Sequence, residues 1–405
     1  MYRYRMSAAA GVACALLAAS TPVTAQTALT LEDVARLARE RAPSVLAERA
    51  RLGEAEARIA GAALRFHDNP RVSIDAGPRS RGYVDFEAGI EQQFDPRGAR
   101  PARMASAHAA LDGDAARAEV FIRSVVRDAA AAFVRVLYYD RTIGTLDTSR
   151  SVSADMLAAA ERRYSLGDVA VLDVNIARAT AARAEAAQRS ATAGRAEAAA
   201  DLAALLGVSP TGLVVAGDLV PRPLPPIEEL RVAAMTRPDL RALEAERGQA
   251  EADGQVAEAQ RRVRLGGTSR YKREGGDQIV LGGLTITLPV FNAGQELQLA
   301  AAARARRATL ELDAVRAAIL ARVEGAAAAA AAQAAALRAL DEGALSQLEE
   351  NETLARRSYD AGQISLADWL ILRRELLDTR LEYLDRLRDA ALTRLDVDAL
   401  TGALR

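Results

Sequence analysis

The sequence predicts a mainly α protein with a small β part, built as duplicated long helical hairpins plus two β-hairpins. Three observations carry that prediction. Two long windows hold no proline, a single shift of 195 residues superimposes landmarks across the chain, and one stretch in each half alternates apolar with polar residues.

The 13 prolines stand at 22, 43, 70, 78, 96, 101, 210, 221, 223, 225, 226, 238 and 289. Proline inside a helix costs about 3 kcal/mol, so the empty windows 102–209 and 290–405 are where long helices can form. Both are rich in Ala, Arg, Glu and Leu. In the first, Ile122, Val125, Ala129, Ala132, Val136, Ile143 and Leu146 make an apolar seam at the spacing of helix-on-helix packing. A single helix over 102–164 is roughly 95 Å long at about 1.5 Å per residue. Such a rod belongs in a coiled coil or a helical tunnel.

Each window is interrupted once by a similar signal, RRYSLGDVAVLDVNIAR (162–178) and RRSYDAGQISLADWLILR (356–373). The 195-residue shift places Tyr164 on Tyr359, Gly167 on Gly362, Asp173 on Asp368 and Arg178 on Arg373. It also places Pro43 on Pro238 and Gly207 on Gly402. One offset serving landmarks this far apart is an internal duplication. Each glycine suits a tight reversal that needs positive φ, so each repeat ends in a helical hairpin.

The β part lies before each long helix. Val84, Phe86, Ala88, Ile90 and Phe94 alternate with Asp85, Glu87, Gly89, Glu91 and Gln93, and Val72, Ile74 and Ala76 alternate upstream. In the second repeat Val280, Gly282, Leu284, Ile286 and Leu288 form the matching row, after a weaker strand around Leu265–Tyr271. Period two with one apolar and one polar face reads as strand. Strands of about ten residues patterned this way have the length that crosses a bilayer as part of a barrel. Four cannot close one, since membrane barrels start at about eight strands. Two readings stand: the chain oligomerises, with eight strands in a dimer or twelve in a trimer, or the hairpins are soluble and pack on helices.

Composition removes several function classes. Lys+Arg is 53 and Asp+Glu 54, for a net charge of −1, which gives no long-range field for nucleic acid. One cysteine, Cys14, and two histidines, His67 and His108, leave no ligand set for zinc and no disulfide framework. No nucleophile–base set, nucleotide-binding loop or cofactor motif stands out, so an enzyme is not expected. Residues 1–25 carry Arg3 and Arg5, an apolar run from Ala8 to Ala19, and Val23-Thr24-Ala25. That is a secretory signal peptide, and Cys14 lies within its apolar run rather than at a lipoprotein cleavage box.

The order of elements, made twice, resembles the outer membrane factor (TolC-like) family of efflux and secretion channels. Residues 162–179 are similar to that family's periplasmic tip turn, 356–373 to its second copy, and LTLEDVARLARERAPSV (29–45) to its N-terminal helix. Asn69-Pro70 and IEQQFDPRGARPAR (90–103) look most like the heavy-metal efflux branch. The resemblance implies a homotrimer with a 12-stranded barrel in the outer membrane, continued by a periplasmic α-helical tunnel. It implies a periplasmic adaptor protein and an inner-membrane pump, of RND type, as partners. A type I secretion duct shares the fold. A periplasmic coiled-coil adaptor also has long hairpins, but not a full-length duplication with two strand pairs.

The resulting organisation is a signal peptide at 1–25 and repeat 1 at 26–207, with strands about 71–94, a long helix about 102–164, a tip turn at 165–170 and a return helix to 206. A Pro-rich equatorial segment follows at 208–238. Repeat 2 occupies 239–405, with strands about 264–289, a long helix about 295–358, a tip turn at 359–366 and a return helix to 401. Tyr164, Gly167, Tyr359 and Gly362 mark the tips, which reverse the chain and, by resemblance, dock the adaptor. Asp173 and Asp368 sit early in the return helices, where a carboxylate near a helix N-terminus is worth about 0.3–1 kcal/mol. By resemblance Asp368 narrows the closed entrance. Three carboxylates about 6 Å apart repel by roughly 1–3 kcal/mol per pair. Ile371 stands where some members carry a second acid.

Overall fold

A computed structural model describes residues 28–78, 84–274, 276–341 and 345–404. The segment 1–25 expected as a signal peptide, with Cys14, and the first hairpin's turn at 79–83 lie outside the described residues. The first repeat contains α1 (Leu31–Arg41), α2 (Pro43–Ala62), β1 (Arg71–Pro78), β2 (Val84–Gln93), α3 (Ala99–Ser165) and α4 (Val171–Leu206). After α5 (Ile227–Ala234) in the inter-repeat segment, the second contains α6 (Pro238–Gln260), β3 (Arg264–Glu274), β4 (Asp277–Thr287), α7 (Gln295–Leu340), α8 (Ser346–Asp360) and α9 (Leu366–Thr401). Helices α4 and α9 begin and end at positions related by the 195-residue shift.

Local chemistry sets the boundaries. Pro43 and Pro238 open α2 and α6 at the first turn, where a missing N–H costs nothing. Thr30 caps α1 through a reciprocal bond pair with Asp33. Gly207 and Gly402 close α4 and α9 in the left-handed conformation.

Helix α3 spans 67 residues, roughly 100 Å, and is the backbone of the protomer. Its middle is buried against α1, α4, α9 and the segment around Leu213–Leu219. Leu202 and Leu206 of α4 are fully buried there, each contributing about 1.5–3 kcal/mol. A second core joins α5, α6, α7 and α9 through Leu230, Leu240, Leu312, Ile319, Val323 and Val397. The predicted seam of α3 is buried at Ile122, Val125, Ala129, Ala132, Val136 and Leu146, but Thr142 takes the position expected of Ile143. Below it the seam continues through Ser149, Ser153, Met156 and Ala160, following the 3.6-residue turn past the apolar run. Ser153 satisfies its hydroxyl by donating to the Ser149 carbonyl, 2.8 Å away.

The helix expected over 295–358 is described as α7 and α8, and residues 342–344 between them lie outside the described residues. The segment 208–238 has structure of its own. It contains α5, and its Val215 forms a parallel bridge with Leu29, tying the start of repeat 1 to the equator.

The four strands form one antiparallel sheet in the order β1-β2-β3-β4. The two hairpins are joined by β2 against β3, Ala88 facing Tyr271 and Ile90 facing Ser269. No helix among the described residues is long and apolar enough to cross a membrane.

Candidate transmembrane sheet and periplasmic tip

The sheet register sorts the strand residues into two faces. Residues facing each other across a ladder point the same way, so Ile74, Ala88, Tyr271 and Val280 form one row. Val72, Ile90, Leu265, Leu284 and Ile286 share that face. It is apolar and open, with Val280 75% and Leu284 79% exposed in the protomer. The opposite face carries Ser73, Asp75, Glu87, Glu91, Arg270 and Lys272, with Arg270 3.7 Å from Glu87. An apolar outside and a charged inside are what a barrel wall needs in lipid, and β1 and β4 are left as open edges.

At the far end of the helices the two tips repeat one design. The Gly167 N–H donates to the Tyr164 carbonyl at 3.0 Å, and the Asp168 N–H donates to Arg163 at 2.9 Å. In the second repeat Gly362 donates to Tyr359 at 2.9 Å, and Gln363 to Ser358 at 2.8 Å. Both are Schellman closures, with Gly167 at φ +81° and Gly362 at φ +72°. Any other residue is strained at either glycine, although no neighbouring atom occupies the space of an added Cβ. The spacing thus places Tyr164, Gly167, Tyr359 and Gly362 at equivalent points of the two turns.

The return helices differ where the sequences agree. Asp368 is the third residue of α9 and forms a capping box with Ser365. The Ser365 hydroxyl donates to its carboxylate at 2.6 Å, and the Ser365 N–H donates at 3.2 Å. These bonds, the hydroxyl's first, hold the Asp368 carboxyl below the usual carboxylate range. Asp173 occupies the same place in α4, but its N-cap is Ala170, which offers no side chain to the helix. Ser365-Leu366-Ala367-Asp368 carried this cap in the sequence as a capping-box spacing.

Sequence reasoning also missed Trp369. With Met156 of α3 and Ala355 of α8 it forms a small core that seats hairpin 2 against α3. Tyr359 stacks on it, and the Arg163 guanidinium donates to the Tyr359 hydroxyl at 3.2 Å, linking the two tips. Higher up, the Tyr138 hydroxyl donates to Asp385 at 2.7 Å while Arg388 lies 4.7 Å over its ring. His67 and His108 are both exposed, one in the loop before β1 and one on α3.

A protomer with an open amphipathic sheet at one end and two long helical hairpins below it is a segment of a channel wall. The outer membrane efflux protein family matches residues 34–208 and 230–403, and the chain belongs to that family. The two matches stop at 208 and 403, positions related by the 195-residue shift. Among solved structures, a membrane protein from Pseudomonas aeruginosa is 17% identical with a TM-score of 0.78, covering 92% of this chain and 90% of that one. The Vibrio cholerae outer membrane protein VceC is 20% identical, TM-score 0.75, covering 92% and 96%. The Campylobacter jejuni outer membrane channel CmeC is 15% identical, TM-score 0.74, covering 92% and 85%. No curated protein sequence matches the chain. The protein is an outer membrane efflux protein, with the fold of these channel structures.

Proposed function

We propose that three copies assemble by pairing β1 of one chain with β4 of the next, closing a 12-stranded barrel over a helical tunnel. The open edges at β1 and β4 carry this reading. Unpaired backbone groups in hydrocarbon cost several kcal/mol each, and four strands are too few to close alone. The assembly is a passive exit duct. The tips at Tyr164–Gly167 and Tyr359–Gly362 dock a periplasmic adaptor protein, through which an inner-membrane pump supplies the energy. The similarity of Asn69-Pro70 and residues 90–103 to the heavy-metal branch favours an RND-type pump exporting metal cations over a type I secretion partner. Asp368 of each copy faces the closed entrance and favours cations.

Disulfide scanning between β1 and β4 tests the assembly, because beyond Cys14 the chain has no cysteine. Cysteine pairs in register should yield covalent trimers. Purified protein that stays monomeric without detergent would sink the reading. Metal sensitivity of a strain lacking the gene, restored by the gene, separates metal export from drug or protein export.

A further inference from the structure

Between α3 and the α8/α9 hairpin, just above the second tip, lies a cavity of roughly 240 Å³. Three arginines line it, Arg356 from α8 and Arg373 and Arg380 from α9, with Glu352 as the one lining carboxylate. The charges do not balance locally. Arg373 reaches Glu352 only at 3.6 Å, and Arg380 turns its guanidinium to Glu349, outside the lining, at 2.8 Å. Arg356 makes no ion pair among the described residues. Arg373 is largely buried, its side chain 14% exposed. Burial draws its guanidinium below the usual arginine range. Glu352 opposes that, while Arg356 and Arg380 add to it by repulsion.

Trp369, 7% exposed, lines the same cavity, and its buried Nε1–H has no acceptor. A buried donor without a partner costs about 1–3 kcal/mol, and the largely buried Arg373, with the exposed Arg356 and half-exposed Arg380 beside it, favours an added anion. From α3, Ser149 adds a hydroxyl to the lining. The surplus here is of donors and positive charge. The volume exceeds several waters at about 30 Å³ each, which is room for a small ion with part of its hydration.

We propose that this cavity binds a small tetrahedral oxyanion of the phosphate or sulfate class. Guanidinium forks from α8 and α9 match such oxygens in pairs, and a tetrahedral ion presents acceptors in more directions than a carboxylate. Bound there, the ion neutralises the arginines of hairpin 2 and joins them to α3 of hairpin 1. Anything that binds only this packed arrangement raises its population, so the oxyanion steadies the second tip on α3. The site lies within one chain and needs neither adaptor nor pump.

The chain's single tryptophan is Trp369, so intrinsic fluorescence reports directly on the cavity. The detergent-purified full-length protein is titrated with inorganic phosphate, sulfate and acetate, with chloride holding ionic strength constant. Phosphate and sulfate should change the emission saturably and acetate should not. Arg373→Gln should weaken the phosphate response by roughly tenfold or more, as loss of a charged hydrogen bond implies. Circular dichroism verifies the fold of that variant. If it misfolds, Arg356→Gln, altered at an exposed residue, supplies the same comparison. A response that does not saturate, that chloride reproduces, or that survives unchanged in the folded arginine variants overturns the proposal.

Discussion

The Tyr359 ring stacks on the Trp369 indole with centroids 4.9 Å apart and planes inclined by 24°. The contact spans the turn between α8 and α9, so the second tip is held by an aromatic pair as well as by backbone closure. Its counterpart in the first tip has no such pair, because the 195-residue shift puts Val174 where Trp369 stands. The two hairpins therefore close by the same backbone bonds and differ in what packs behind them.

Truncating the indole should loosen this end selectively. Trp369→Ala removes a buried aromatic at a cost of about 3–5 kcal/mol. Amide exchange in α8 and the first turns of α9 should rise by about a hundredfold or more, while the α3–α4 core stays protected. Tyr359→Phe, which loses only the bond from Arg163, should leave exchange near wild type. Equal acceleration in both variants would assign the effect to the hydrogen bond instead.

The tip glycines make a second test. Gly167→Ala and Gly362→Ala meet no neighbouring atom, so the penalty is left-handed strain alone, about 1–2 kcal/mol each. Gly362→Pro also removes the N–H that bonds Tyr359 and cannot reach positive φ. Efflux should survive the alanine changes and be abolished by Gly362→Pro, with protein still present in the outer membrane. Normal adaptor crosslinking and resistance in the proline variant would refute a docking role for this turn.

Much of this architecture could be read from the chain because its landmarks are covalent facts. Proline removes a donor wherever it stands, and glycine alone enters the left-handed region cheaply, so the helix limits and tip turns were legible. What depends on neighbours was not. The pairing of β2 with β3 joins segments far apart in sequence, and no local pattern specifies it. Thr142 displaced Ile143 from the seam because the drift of a 3.6-residue helix outweighed hydrophobicity there. Trp369 gains its role only from Met156 and Ala355, which lie far from it in sequence or on another helix.

The capping box of α9 predicts a pH response at the start of that helix. The folded-state pKa of Asp368 is depressed, so its contribution is present above the unfolded carboxylate value near 3.8 and is lost as pH falls through the lower folded value. Wild-type α9 should thus begin to fray at its N-terminus below about pH 4. Ser365→Ala should move that loss to higher pH, read as local amide exchange against pH. In α4 the N-cap is Ala170, so that helix has no hydroxyl bond of this kind to lose. Asp368→Ala should also reduce cation preference in planar bilayers. Unaltered single-channel selectivity would remove Asp368 from the entrance and leave it only as a cap.

The sheet gives a contrast between adjacent residues. Val280 lies in the apolar row with Ile74, and Leu281, the next residue, faces the other way beside Arg270. Arginine on the lipid face near the membrane midplane costs about 2–4 kcal/mol, whereas a lumen-facing arginine remains in water. Val280→Arg should therefore lower the yield of folded protein in the outer membrane and the temperature at which it resists denaturation in detergent. Leu281→Arg should assemble normally and instead reduce cation conductance by placing three added charges around the pore. If both substitutions impair assembly alike, the two faces are not lipid and water, and the sheet is a soluble structure packed on helices. If Leu281→Arg alone impairs it, the barrel is inside out relative to the register argued here, and the charged row of Asp75, Glu87 and Lys272 would have to lie in hydrocarbon, where burying charge is costly.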